Sequence, residues 1–393
     1  MKNSPLLPIF LIVAVDVLGI TIILPLLPFY SQSLGASPFV IGTIVSVYGL
    51  CQFIAGPILG KASDRYGRKP ILMISQLGTL GGFILLALSR SLALVFLARI
   101  IDGLTAGNIS VAQAYISDNT EPKDRTRAFG IVGASFGLGF LVGPAISGLL
   151  SKYGHQTPIW AAAGLSALSI LATLTLLPSG VKPPQGAKRR PGILPFKDIK
   201  EFSKDPVVAK LLIQFMAFSF SFSLFVSGLA LFCASRFQWK GHPFGAPEVG
   251  SVFTYSGAIN LTVQLFLMKI LVSKLGDAKI VVSGFLFMAI GYGALSGVYT
   301  VPLLVLWLTF NNLGAAVLRP TLTSQISQNV GREHQGAVLG VTQSLQSIAV
   351  IVAPLVSGLF IDRGYLAVWA LACSAVAAMG FGLSLPLLKR TRV

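Results

Sequence analysis

The chain has 393 residues, of which 54% are hydrophobic and only 11% are charged, and its mean hydropathy is +0.78. This composition excludes a water-soluble globular protein and indicates a polytopic membrane protein. The formal net charge of +17 would favour a nucleic-acid partner in a soluble protein. Here most of the lysines and arginines fall in short connections between apolar runs, so we expect the lipid bilayer, and no nucleic acid, as partner.

Twelve apolar runs follow one another, and each is long enough to cross a bilayer as a helix, which takes about 20 mostly apolar residues. They lack the period-two alternation of barrel strands, so the sequence predicts helices. The spans predicted in the first half lie near residues 6–30, 39–60, 70–89, 92–118, 126–151 and 157–178. Those predicted in the second half lie near residues 206–235, 246–270, 278–298, 302–328, 334–361 and 365–388.

These spans form two sets, and we expect each set to fold as a six-helix bundle. The first bundle takes residues 1–178 and the second takes residues 206–393. The segment between them, residues 179–205, is rich in proline and in basic residues, which indicates a cytoplasmic linker that contacts anionic lipid. The positive-inside rule places both termini in the cytoplasm and predicts an integral protein of the bacterial inner membrane.

The two halves are related by an internal repeat. A shift of 210 residues lays the segment 143–150 over the segment 353–360, with Gly-Pro-Ala-Ile-Ser-Gly-Leu-Leu matched to Ala-Pro-Leu-Val-Ser-Gly-Leu-Phe. A shift of 209 lays Gly67 over Gly276, whereas Asp64 falls on Ser273. The sequence therefore predicts two parallel repeats, and a degenerate second copy of the segment around Gly67.

The segment from Gly60 to Pro70 carries five charges between two long apolar runs. Its sequence, Gly-Lys-Ala-Ser-Asp-Arg-Tyr-Gly-Arg-Lys-Pro, predicts a tight cytoplasmic turn. It resembles the signature loop between the second and third helices of the major facilitator superfamily, although Lys61 stands where that family usually carries an apolar residue. The resemblance implies a gating loop and charge cluster made of Gly60, Asp64, Arg65, Gly67, Arg68 and Asp118.

Three further motifs extend the resemblance over nearly the whole chain. Arg99-Ile100-Ile101-Asp102-Gly103 is similar to an R-x-x-Q-G element of proton-driven members, with Asp102 in place of the usual Gln. The fifth span resembles the glycine-rich antiporter motif of drug exporters, through Gly139, Gly143, Pro144 and Gly148. The segments 114–120 and 125–130 look most like the tetracycline/proton antiporter branch. The resemblance implies an all-α membrane protein with the major facilitator fold, working as a proton-coupled exporter of drugs or other small amphipathic compounds.

Ionisable groups inside the spans are the candidates for proton coupling, because a charge at the bilayer centre costs several kcal/mol. Asp16 lies about 15 Å into the first span at about 1.5 Å per residue. Asp102 is similarly deep in the fourth span, and Arg99 lies one turn away on the same face. We expect Asp16, Asp102 or both to carry protons. Alternatively, Arg99 and Asp102 form a fixed pair that only steadies their helix.

Aromatic and amide side chains of the seventh, eighth and tenth spans predict a cavity for an amphipathic organic molecule. They are Phe218, Phe222, Tyr255, Asn260, Gln264, Asn311 and Asn312. Arg319 is a further intramembrane charge, and its depth favours snorkelling to the cytoplasmic edge over contact with an anionic substrate. Gly81 and Gly82 stand near the position of a membrane-embedded acid in the tetracycline branch, which argues against tetracycline itself.

Two alternatives to a transporter belong to other function classes. A membrane-embedded lipid enzyme is disfavoured, because the three histidines, His155, His242 and His334, fall in predicted loops and the three cysteines have no paired or metal-ligand spacing. A receptor or scaffold is disfavoured, because no loop is long enough for a soluble domain. Within transport, an uptake symporter or uniporter for a metabolite or siderophore is the alternative to export.

We therefore expect no enzyme activity, no metal and no cofactor, with the proton gradient as the source of energy. The expected partners are a small-molecule substrate and protons. We expect a monomer.

Overall fold

The computed structural model describes residues 6–119, 125–177, 201–331 and 335–386. The first half contains α1 (Leu6–Ser33), α2 (Pro38–Tyr66), α3 (Arg68–Ala87), α4 (Leu92–Thr105), α5 (Asn108–Asn119), α6 (Arg125–Leu150) and α7 (Thr157–Leu176). The second half contains α8 (Pro206–Arg236), α9 (Ala246–Thr262), α10 (Met268–Leu295), α11 (Val301–Gln328), α12 (Gln335–Asp362) and α13 (Leu366–Ser384). The predicted linker is described only from Glu201 onward, and His334 lies outside the described residues.

Three short elements complete the described chain. A 3₁₀ turn, Ser151–Tyr153, follows α6, and a π-helix, Val263–Leu267, joins α9 to α10. The strands β1 (Gln238–Trp239) and β2 (His242–Pro243) pair antiparallel after α8. The fold is therefore α-helical throughout its described spans, as the sequence predicts.

The helices account for twelve spans once two local breaks are considered. The fourth span is divided into α4 and α5 at Ala106, whose ψ of 59° is not helical. In the opposite sense, α9, the π-helix and α10 run on without a gap, and the chain turns inside α10 at Gly276. Nine of the described helical stretches are long and apolar enough to cross a membrane, and the longest, Ala246–Leu295, holds two spans.

Contacts divide the chain into two units of similar size. The first unit comprises Met1–Ala36, Val47–Ile193 and Gly245–Gly257. The second unit comprises Ser37–Ser46, Leu194–Phe244 and Ala258–Val393. The start of α2 thus groups with the second unit and most of α9 with the first.

Each unit is built with the same internal packing. In the first unit, α1 packs against α6 and α7, while α3 packs against α4 and α7. In the second unit, α8 packs against α12 and α13, while α10 packs against α11 and α13. These are corresponding pairs of spans in the two halves, so the packing follows the repeat that the sequence predicts.

The backbone keeps the repeat where the charges do not. Gly67 has φ 98° and ψ 154°, and Gly276, 209 residues later, has φ 72° and ψ 160°. Residues with a side chain rarely adopt this backbone conformation, so glycine is needed at both turns. The predicted turn over residues 60–70 is shorter than expected: α2 continues to Tyr66, α3 begins at Arg68, and Gly67 alone makes the turn.

Candidate functional site

Asp16 is buried in the apolar interior of the first unit. Its side chain is 6% exposed, and Ile12, Val13 and Val17 of the same helix belong to a core cluster that also contains residues of α3 and α5. An ionised carboxylate in such surroundings is costly unless it is paired or hydrogen-bonded. The position of Asp16 on α1 thus gives it an environment unlike that of a surface acid.

Three polar side chains from three other helices face this carboxyl, namely Gln76 of α3, Asn108 of α5 and Ser169 of α7. Together with Asp16 they form what we call the Asp16 cluster. Gln76 Nε2 donates to Ser169 Oγ at 2.7 Å. Within the described chain, neither Asp16 oxygen, nor Gln76 Oε1, nor Asn108 Oδ1 takes part in a hydrogen bond of good geometry. Gln76, Asn108 and Ser169 each carry a donor as well as an acceptor, so the cluster can hold Asp16 as a carboxylate that accepts from them or as a neutral acid that donates to one of them.

Arg99 and Asp102 form an ion pair within α4. Arg99 Nη1 lies 3.1 Å from Asp102 Oδ2, and both side chains are buried. The guanidinium also lies over the rings of Tyr48 and Phe83, at 5.7 and 5.8 Å from their centroids. In the described chain, Arg99 Nε and Nη2 make no hydrogen bond. The predicted pair is therefore formed. The Arg99 guanidinium is stabilised by two aromatic rings and keeps N–H donors that make no hydrogen bond.

Glycines let the neighbouring helices approach this pair. A Cβ on Gly82 of α3 would lie 2.9 Å from Asp102 Cβ, and a Cβ on Gly103 would lie 2.7 Å from Cys51 Cβ of α2. A Cβ on Gly81 would meet nothing within 4 Å. Of the two glycines that replace the expected acid of the tetracycline branch, only Gly82 is therefore required for packing.

The second unit repeats this arrangement without its charges. Gly291 and Asn311 lie 209 residues after Gly82 and Asp102, and a Cβ on Gly291 would lie 3.0 Å from Asn311 Cβ. The same shift matches Arg99 with Leu308 and Asp16 with Phe225, both of which are buried. The buried acids and their arginine thus occur only in the first copy of the repeat. The shift of 209 that relates Gly67 to Gly276 relates these positions as well, so this correspondence could be predicted from the sequence.

The charged segment after α2 is organised by Arg68, which is 3% exposed. Arg68 pairs with Asp64 one turn earlier and, through Nε, with Asp118 Oδ2 of α5 at 2.8 Å. Its Nη1 also donates to Ser63 Oγ at 2.6 Å. We call Ser63, Asp64, Arg68 and Asp118 the Arg68 cluster. Arg65 and Gly60 are not part of it: Arg65 is exposed and lies over the Tyr66 ring, and Gly60 makes no close contact.

Lys69 contributes a contact that the sequence did not indicate. Its Nζ donates to the carbonyl oxygens of Leu174 and Leu177, at 2.9 and 2.7 Å. A cation is favoured at the C-terminus of a helix, where carbonyl groups lack partners. Lys69 therefore ties the start of α3 to the end of α7.

The glycines of the fifth predicted span, which is α6, are contact points between helices. Cβ atoms on Gly139 and Gly143 would overlap Val17 and Thr21 of α1, the helix that carries Asp16. Thr21 Oγ1 donates to the Gly139 carbonyl oxygen at 2.8 Å. The glycines of this motif thus pack α6 closely against α1.

The end of the same motif packs on α9. A Cβ on Gly148 would lie 3.0 Å from the Pro247 carbonyl oxygen, and one on Gly250 would lie 2.8 Å from the Pro144 carbonyl oxygen. Gly148 and Gly250 therefore allow two backbones of the first unit to touch.

The predicted substrate residues fall into two groups. Phe218, Asn311 and Asn312 are packed in the interior of the second unit, with exposed fractions of 2%, 0% and 6%, so they do not line an open cavity in this structure. Phe222 stacks on Phe218 with ring centroids 5.8 Å apart. The remaining four, Tyr255, Asn260, Gln264 and Arg319, are half-buried or exposed.

Comparison with protein families and with individual proteins agrees with the fold described above. A sequence model of the Major Facilitator Superfamily matches residues 9–270 and 242–393. The tetracycline resistance protein, class C, of Escherichia coli is 29% identical over 365 residues, covering 90% of this chain and 89% of that protein. The class H protein of Pasteurella multocida is 30% identical over 367 residues, covering 90% and 88%. Multidrug resistance protein 2 of Bacillus subtilis (strain 168) is 27% identical over 352 residues, covering 88% and 86%.

Solved structures share the fold at lower sequence identity. The human organic anion transporter MFSD10 (TETRAN) superposes with a TM-score of 0.72 at 23% identity, covering 98% of this chain and all of that one. The nucleoside transporter NupG superposes with a TM-score of 0.76 at 16% identity over the full length of both chains. The predicted resemblance and fold are therefore confirmed, and the chain is a transporter rather than an enzyme. Because the family model spans nearly every residue and the two units repeat one packing pattern, this chain belongs to the Major Facilitator Superfamily.

Proposed function

We propose that this protein exports small amphipathic organic compounds in exchange for protons, by alternating access across the bacterial inner membrane. The observation that carries the proposal is the Asp16 cluster, in which a buried acid within a span lies among neutral polar side chains and forms no ion pair with any described residue. The similarity to proteins named for tetracycline and multidrug resistance supports drugs as the substrate class.

Asp16 acts as the principal proton carrier in this mechanism. Protonation of Asp16 favours the state that releases substrate outside, and binding of substrate from the inside favours loss of the proton. By reciprocity, substrate and proton each weaken the binding of the other. Because Asp102 already has Arg99 as a partner at 3.1 Å, it has less need of a proton than Asp16 and modulates the carrier.

The Arg68 cluster and the α6 glycines serve the conformational change. The contacts of Arg68 with Asp64 and Asp118 favour whichever state contains them, which is how a charge cluster biases a two-state equilibrium. Close packing at Gly139, Gly143 and Gly148 restricts passage of ions along α6. The protein works as a monomer with both termini in the cytoplasm, and it needs no cofactor beyond the proton gradient.

The proposal is tested with purified protein in liposomes that contain a pH-sensitive dye. Tetracycline and a panel of lipophilic drugs are added under an imposed proton gradient to the wild type, Asp16→Asn and Asp362→Asn. Asp362 is an exposed acid at the end of α12 and serves as the matched control. Substrate-dependent proton movement that only Asp16→Asn abolishes supports the proposal.

Two outcomes would contradict it. Compounds that cross without proton movement indicate a uniporter. Proton movement in the same direction as the substrate indicates a symporter for uptake, which is the alternative that the sequence left open.

A further inference from the structure

Arg319 of α11 is an exposed cation on an otherwise packed face of its helix. Leu308, Ala315 and Leu322, at spacings of eleven, four and three residues from Arg319, lie on the same face. All three are buried within the second unit. Arg319 is exposed on this packed face, so its side chain is accessible to a ligand as well as to the cytoplasmic edge toward which the sequence predicts that it snorkels.

The neighbouring helix presents two amides at the same level. Val263, the first residue of the π-helix, belongs to one buried cluster with Ala316 and Val317 of α11. Gln264 follows Val263, and Arg319 lies one helical turn after Ala316, on the same side of α11. Gln264 and Arg319 each lie 18 residues beyond the first residue of a span that runs in the same direction, Ala246 or Val301. At about 1.5 Å per residue, both are about 27 Å from that end of the span.

The π-helix presents Gln264 outward. π-helical turns are rare and occur mostly at functional sites. Here Gln264 is exposed, and its Nε2 donates to Asn260 Oδ1 at 2.8 Å. The amide group of Gln264 keeps a second N–H for a ligand.

Arg319 forms no ion pair with any described residue. An unpaired guanidinium within a span is costly, and an anion would relieve that cost. Guanidinium groups bind carboxylates through two parallel hydrogen bonds.

We propose that Arg319, Gln264 and Asn260 form an anion-recognition site in the second unit, which takes the carboxylate of an amphipathic organic acid. Arg319 binds the two carboxylate oxygens, and the Gln264 amide, oriented by Asn260, donates a further hydrogen bond. This inference rests on the proposed function and narrows its substrates to organic anions.

The test uses the full-length protein in nanodiscs of phosphatidylcholine, with calorimetric titration of 2-naphthoate and of its neutral analogue 2-naphthamide. Loss of a charged, bidentate hydrogen bond predicts that Arg319→Gln weakens naphthoate binding by about 10- to 100-fold and leaves naphthamide binding unchanged. Arg319→Lys, which keeps the charge without the fork, should show an intermediate loss. Gln264→Ala should weaken naphthoate binding several-fold. Arg363→Gln, at an exposed arginine near the end of α12, is the matched control.

Three results would overturn the inference: naphthoate and naphthamide bind equally to the wild type, Arg319→Gln binds naphthoate like the wild type, or phosphatidylglycerol in the disc displaces naphthoate from Arg319. The last result would make Arg319 a lipid headgroup contact. If Arg319→Gln does not fold, the ratio of the two affinities in the wild type and in Arg319→Lys decides.

Transport separates this inference from the proposed function. Proton-coupled export that is indifferent to Arg319 and to substrate charge leaves the proposed function standing without the anion site. Naphthoate binding that depends on Arg319, without any proton movement during transport, would support the anion site and contradict proton-coupled export.

Discussion

Asp102 and Asn311 occupy corresponding positions in the two halves of the chain, and each packs its Cβ against a glycine of the preceding span, Gly82 or Gly291. The first position carries an acid paired with Arg99, and the second carries a neutral amide beside Leu308, which takes the place of Arg99. One backbone arrangement therefore supports an ionisable site in one half and an uncharged one in the other.

This relationship predicts the result of moving the charge. Asn311→Asp places a buried carboxylate where no arginine stands, and an uncompensated buried charge costs about 3–5 kcal/mol. The variant should melt several degrees below the wild type in detergent at pH 8. Adding Leu308→Arg should recover part of the loss by recreating the pair of α4. If the double variant melts no higher than Asn311→Asp, the two positions are not equivalent.

The glycines on the facing helices give a second prediction. Gly82→Ala and Gly291→Ala each bring a methyl group to about the distance at which neighbours must shift, 2.9 and 3.0 Å from the facing Cβ. Overpacking of this kind costs about 1–3 kcal/mol. Gly81→Ala, in the same helix as Gly82, meets no atom within 4 Å and should be neutral or slightly stabilising. Thermal unfolding of the three variants is the measurement, and equal melting temperatures would contradict the packing described for α3 and α4.

Much of this architecture was predictable from sequence, because hydropathy identifies the spans and residue spacing identifies the repeat. The spans, the turn glycine Gly67 and the buried position of Asp16 follow from patterns of local composition. The Asp16 cluster does not, since Gln76, Asn108 and Ser169 come from three helices, and ordinary polar residues carry no sign of convergence. Burial of Asn311 was also missed: an amide inside a span predicts a cavity as readily as a packed interior.

The Arg68 cluster predicts unequal effects of two neighbouring arginines. Arg68→Ala leaves Asp64 and Asp118 without their shared cation in a largely buried location, so we expect a loss of stability of about 3 kcal/mol. Arg65 is exposed and contacts only the Tyr66 ring among the described contacts of its side chain, so Arg65→Ala should cost less than about 1 kcal/mol. Urea or thermal unfolding compares them. Equal losses would mean that net charge, and not the cluster, stabilises this segment.

The two turn glycines predict matched backbone effects. Gly67→Ala and Gly276→Ala place a side chain at φ 98°, ψ 154° and at φ 72°, ψ 160°, a backbone region that is essentially limited to glycine, which costs about 1–3 kcal/mol. Gly60 lies within α2, seven residues before Gly67, and a Cβ there meets nothing within 4 Å. Gly60→Ala should therefore stabilise α2 slightly, because alanine favours the helix. Similar melting temperatures for all three alanine variants would show that the turns tolerate other conformations.

The α6 glycines allow the two interpretations of the antiporter motif to be separated. Close packing alone predicts that Gly143→Ala, whose Cβ would overlap Thr21 of α1, lowers stability without altering ion permeability. A seal predicts, in addition, a proton leak when the helices are pushed apart. We expect both effects, because Gly143 packs on Thr21 of α1. Thr21 lies five residues after Asp16 on the same helix. Proton leak is measured in dye-loaded liposomes without substrate, with Gly164→Ala of α7, which meets nothing within 4 Å, as control. A destabilised Gly143→Ala protein with the leak rate of the control would assign these glycines to packing only.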